Sequence, residues 1–97
     1  MSFFKNMFGD NRVLASSNPQ IQKILTYMNE AYSAYIVEYK ERRGNYYMIE
    51  CRSNFDYLYA NGWIDNGHVI VPGTNGVFSD FTSAFDGLLW LKGRLDQ

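Results

Sequence analysis

The residues with the sharpest chemistry in this chain are its single cysteine, Cys51, and its single histidine, His68. A thiol beside an imidazole could form a nucleophile and its base. The surroundings argue otherwise. Cys51 follows Ile49 on what reads as the inward face of a strand, and a thiol among apolar neighbours is inert rather than activated. His68 follows an Asn66-Gly67 turn, where it is expected to be exposed or half-packed. One His and one Cys also fall short of the three or four ligands a zinc site needs. Asp56, Asp65, Asp80 and Asp86 are scattered and build no calcium loop, and no carboxyl pair stands out as an acid and base across a cleft. The glycines of GDN, NGW, DNG and GTNG have neither the order nor the following lysine of a phosphate loop, and read as turns. The expectation is a protein that is not an enzyme, with no catalytic residue, no metal and no cofactor.

Two other groupings could bind. In EYKERRGNYY, Lys40, Arg42 and Arg43 lie between Tyr39, Tyr46 and Tyr47, and cations beside stacking rings are how single-stranded nucleic acids are held without sequence reading. Glu38, Glu41 and Glu50 dilute that charge. The whole chain carries nine Lys and Arg against ten Asp and Glu, so no strong field draws it toward phosphate or an anionic membrane. The second grouping is MSFFKNMFGD. On a helix, Phe3, Phe4, Met7 and Phe8 span an arc of about 140°, with Lys5 and Asn6 opposite. Burying four such side chains stabilises by about 6–12 kcal/mol, while fixing about seven residues costs about 7–14 kcal/mol. Residues 1–9 therefore need a preformed surface to dock on, either their own domain or a partner.

Eight Tyr, seven Phe and two Trp in 97 residues are more ring surface than a core of this size readily hides, since such a chain covers roughly 65% of its unfolded surface on folding. Tyr, Trp, Phe, Met and Arg are the residues enriched in interface cores and hot spots. The leading functional expectation is a small protein-binding module, an inhibitor or adaptor of the kind common among phage and mobile-element accessory proteins. It would act by occupying a surface of another protein through Phe3, Phe4, Phe8, Tyr46, Tyr47 and Trp63, and would also form a homodimer. The alternative is a single-stranded nucleic-acid-binding protein using Lys40, Arg42 and Arg43 with Tyr39, Tyr46 and Tyr47. A lone cysteine and the lack of a secretion-type start point to the cytoplasm, and no stretch approaches the length of a membrane span.

The elements that must position these residues follow from periodicity. Asn18-Pro19 starts a helix with a capping side chain and a first-turn proline. Ile21, Ile24, Leu25, Met28, Ala31 and Tyr32 recur at helical spacing over about 19–32. Beyond it, residues 33–43 admit two readings. The stripe could continue through Tyr35, Ile36 and Tyr39 to a basic last turn and Gly44. The preferred reading is a hairpin over AYIVEYKERRGNYYMIECR, turning at RRGN, with Tyr35, Val37 and Tyr39 sharing a face with Tyr47, Ile49 and Cys51. Ser53 through Gly62 fits a short helix, Asn66-Gly67 a two-residue hairpin turn, and 79–95 a final helix with a stripe of Phe81, Ala84, Phe85, Leu88, Leu91 and Leu95. Gly87 and Gly93 weaken that helix unless they mark close approach to another element. DNRVLASSNPQ reads as a connection. The sum is one domain over 1–97 of α+β class, with a small antiparallel sheet under helices from both ends of the chain; the runner-up is a mostly helical domain with one hairpin wing.

Overall fold

The computed structural model describes residues 11–53 and 55–97. It is an α+β fold built as β1 (Asn11–Val13), α1 (Pro19–Tyr32), β2 (Ala34–Tyr39), β3 (Tyr46–Cys51), α2 (Phe55–Ala60), β4 (Ile64–Asp65), β5 (His68–Val69) and α3 (Phe81–Leu95). The five strands form one antiparallel sheet in the order β1-β2-β3-β5-β4. None of the helices described is long and apolar enough to cross a membrane.

The two long helices begin where their caps dictate. The Asn18 side-chain carbonyl accepts from the amides of Gln20 and Ile21, and Asp80 accepts from the amide of Ser83 at 2.7 Å, each satisfying donors that the first turn leaves orphaned. Helix α1 ends at Ser33, whose left-handed backbone (φ 51°) returns its amide to Asn29 and Met28. That cap resolves the ambiguity over 33–43 in favour of the hairpin. The β4–β5 turn has Asn66 at φ 56° and Gly67 at φ 81°, the positive pair that an Asn-Gly hairpin requires.

The β2–β3 register corrects the expected pairing of faces. Ala34, Ile36 and Glu38 lie opposite Cys51, Ile49 and Tyr47, while Tyr35, Val37 and Tyr39 lie opposite Glu50, Met48 and Tyr46. The anticipated set was thus slipped by one residue, which in a strand exchanges the two faces completely. Ile36, Ile49 and Cys51 are fully buried together, and aligning them on the core side carries Glu38 inward as well. A core-facing carboxylate is what the alternation pattern argues against, and it is tolerated because Arg12, Asn45 and Tyr47 all donate to it.

The stretch read as a connection contains β1, a three-residue edge strand paired to Val37–Tyr39. So short a strand has no period of its own to detect; its place is set by its partner strand and by the Arg12–Glu38 ion pair at 3.0 Å.

The core lies between the sheet and the helices. Leu25 and Met28 of α1, Leu58 of α2 and Ala84, Leu88 and Leu91 of α3 close over Ala34, Ile36, Ile49, Cys51, Ile64 and Val69. Gly87 is buried where α3 crosses β3, and a Cβ there would stand 3.0 Å from both Ile49 and Phe78 and 3.2 Å from Val71. Gly93 faces open space. Phe78, 8% exposed, is an aromatic ring that the core takes in, while Tyr32, Tyr47, Trp63, Phe81, Phe85 and Trp90 are half-buried against it.

Candidate interaction surface

The densest grouping of surface rings is centred on Trp63. Its position is fixed at both ends of its peptide: the Trp63 amide donates to the Leu58 carbonyl at 2.9 Å, closing α2, and its own carbonyl accepts from Ile70 at 2.8 Å, beside the β4–β5 hairpin. Gly62 turns the chain there with φ 72°. From α3 come Trp90 and Arg94, four residues apart and so on one helix face. The two indoles meet edge to face, with centroids 5.0 Å apart and planes at 84°. Tyr57 meets Trp63 in the same manner at 5.8 Å. The Arg94 guanidinium carbon sits 5.9 Å from the centroid of each indole, within cation–π range of both. Beside it Tyr57, Arg94, Leu95 and Gln97 line a cleft of about 260 Å³.

A second grouping lies on the sheet face away from the core. Tyr39 and Tyr46 stack with centroids 5.0 Å apart and planes 7° from parallel. The Tyr39 hydroxyl donates to Glu50 at 2.9 Å and lies 3.1 Å from Nε2 of His68. Burial, together with the Glu50 carboxylate, raises the Tyr39 hydroxyl well above the ordinary tyrosine value, so it acts as a hydrogen-bond donor rather than a proton source. At the base of the β2–β3 loop this pair adjoins Lys40, Arg42 and Arg43, all exposed. Tyr47 faces the other way and donates to Glu38. The loop therefore gathers three cations with two of the three tyrosines named for the nucleic-acid reading.

Cys51 and His68 border one cleft but are not brought together. The thiol is fully buried on the core side, directed at the Ser53 and Tyr32 carbonyls at 3.2 and 3.6 Å, and burial raises its pKa. His68 is opposite Glu50, with Nε2 3.5 Å from its carboxylate. Among the described residues no group of three His, Cys, Asp or Glu side chains could hold a metal ion.

Of the residues expected to meet a partner, Trp63 is at the centre of the first grouping, Tyr46 belongs to the second, and Tyr47 is half-buried against Glu38. Phe3, Phe4 and Phe8, with the whole 1–9 segment, lie outside the described residues. Trp90, Arg94 and Tyr57 were missed from sequence as site residues. The signal available is the Trp-x-x-x-Arg spacing in the last turns of a helix, where it is masked by the adjoining core stripe of Leu88, Leu91 and Leu95. The chain matches no family model, no curated protein and no solved structure.

Proposed function

We propose that this protein is a non-enzymatic binding module that occupies a surface of another protein as an inhibitor or adaptor, in the cytoplasm. The observation that carries this reading is the Trp63–Trp90–Arg94 arrangement. Two half-buried indoles and an exposed guanidinium, the residue types that dominate binding hot spots, are presented by a helix and a backbone pinned on both sides. Rings positioned this way lose little freedom on binding, which is the main cost a preorganised surface avoids. Tyr57, exposed beside them, extends the surface. A homodimer would use the same kind of surplus apolar surface.

The test is affinity capture from the organism's own lysate, with bound proteins identified by mass spectrometry, comparing the parent chain with Trp63→Ala and Tyr57→Asp. Circular dichroism confirms that each variant is folded. Truncating a central ring should weaken the specific partner by at least about tenfold. The same captured set from all three chains would sink the reading. Sedimentation at micromolar concentration decides the dimer, which a strict monomer excludes.

Single-stranded nucleic-acid binding is kept as a second reading on one observation: the stacked Tyr39 and Tyr46 at the foot of a loop bearing Lys40, Arg42 and Arg43. A short single strand titrated at two salt concentrations should bind at low salt and weaken steeply as salt rises if this is correct; no binding at low salt ends it.

A further inference from the structure

We propose that the segment received by the Trp63 surface presents an Asp or Glu side chain flanked by apolar residues, and that Arg94 takes its carboxylate. This rests on the protein-binding reading above and names the chemistry of the partner at that same surface.

Among the described residues Arg94 is a cation without an anion. Arg12 has Glu38 at 3.0 Å and Lys92 has Asp96 at 3.0 Å, but no described carboxylate lies within ion-pair distance of Arg94. Its nearest acidic neighbour in the chain is Asp96, and that side chain is fully engaged elsewhere. One oxygen accepts from the Tyr27 and Tyr32 hydroxyls, and the other pairs with Lys92. A cation in the last turn of a helix is favourable by itself. The pairing of Asp96 with Lys92 leaves Arg94 free of that acid, with each indole centroid 5.9 Å from its guanidinium carbon. A guanidinium near ring faces can still donate through its N–H edge, which matches a carboxylate in two parallel hydrogen bonds. The rings of Trp63, Trp90 and Tyr57 adjoin it, and their apolar surface is covered best by an occupant that carries an apolar side chain next to its acid.

Charge on the neighbouring elements selects a single carboxylate over a polyanion. Asp56 precedes Tyr57 and Asp65 is two residues after Trp63, both exposed, and the negative charge they add to these segments disfavours a phosphate backbone. One acid among apolar residues would not.

The test is by NMR on the full-length protein, following the indole N–H signals of Trp63 and Trp90 and the Nε–H of Arg94. The probe is a pool of acetylated, amidated pentapeptides with central Glu, Leu, Phe or Ile on either side, and Ser at both ends. A matched pool has Gln at the centre, and an oligothymidylate serves as the polyanion. The Glu pool should shift these signals saturably, with an apparent Kd at least about tenfold below that of the Gln pool. Arg94→Gln should abolish that difference. Equal affinity for the two pools, no binding of the Glu pool, or tighter binding of the oligothymidylate overturns the proposal. The partner obtained by lysate capture separates the two ideas. If Trp63→Ala loses it and Arg94→Gln retains it, the binding module stands and the carboxylate does not. If neither variant changes capture, the binding module itself falls.

Discussion

At the residue scale, Glu38 shows how one side chain can mislead pattern reading and still be well housed. It is 6% exposed. Arg12 Nε donates to one carboxylate oxygen at 3.0 Å, and Tyr47 and Asn45 donate to the other at 3.0 and 3.1 Å. Burial alone would push its carboxyl up, but the hydrogen bonds from Tyr47 and Arg12 outweigh it and leave the pKa below the ordinary value. A charge this enclosed costs little only while its donors are present. Tyr47→Phe keeps the ring and removes one donor, and should cost about 1–2 kcal/mol in urea denaturation. The Glu38 carboxyl, followed by NMR, should titrate at higher pH in the variant. A Tyr47→Phe chain as stable as the parent would mean that solvent, not this hydroxyl, solvates the carboxylate. The same residue explains why the hairpin was legible in sequence and its faces were not. Alternation reads a strand from Tyr, Ile and Val, but assigning the inner face means choosing between Ile36 with a glutamate and Val37 with two tyrosines. Only the three donors, from β1, the loop and β3, make the first choice favourable.

At the element scale, starts and turns were readable and contacts between elements were not. Asn18-Pro19, Asp80 and Asn66-Gly67 act through their own backbone and a few neighbouring amides, so a local sequence contains all that is needed. Strand β1 and the Trp63–Trp90 contact are made by chain segments far apart in sequence. Helix α3 separates the two cases in its two glycines. From the sequence either could mark close approach; Gly87 does and Gly93 does not. Replacing either by Ala gains up to about 1 kcal/mol of helix propensity. At 93 nothing opposes that gain, so Gly93→Ala should raise stability by up to about 1 kcal/mol. At 87 the added methyl would press on Ile49, Phe78 and Val71 together, and overpacking a tight contact costs about 1–3 kcal/mol. Gly87→Ala should therefore lose stability on balance. Urea midpoints of the two variants, moving in opposite directions from the parent, check the pair; a stabilised Gly87→Ala would mean that α3 lifts from the sheet at little cost.

At the scale of the whole molecule, the many tyrosines that made this composition unusual also set where in pH the fold is stable. Four of them, Tyr32, Tyr39, Tyr46 and Tyr47, are raised above the ordinary value: Tyr32 and Tyr47 chiefly by hydrogen bonds to Asp96 and Glu38, Tyr39 and Tyr46 chiefly by burial. The Cys51 thiol is raised by burial. A group raised in the folded state stabilises it fully below its unfolded pKa, and that contribution is lost as pH climbs toward the folded value. Cys51 should begin to erode stability near pH 9 and the tyrosines near pH 10, where their unfolded counterparts ionise. The carboxylates act in the opposite sense. Asp96 is lowered to about 2 by the hydroxyls of Tyr27 and Tyr32 and by Lys92, and Glu38 is lowered as described. Their contribution is present above about pH 5, where unfolded carboxyls are already ionised, and disappears as pH falls through the folded values. Urea midpoints measured from pH 2 to 11 should therefore form a plateau with losses at both ends. Asp96→Asn should lower the plateau and shallow its acid limb, because the group that titrates there is gone. A midpoint that rises above pH 10, or stays level down to pH 2, would show that these hydroxyl–carboxylate contacts do not hold the C-terminal end of α3 against α1.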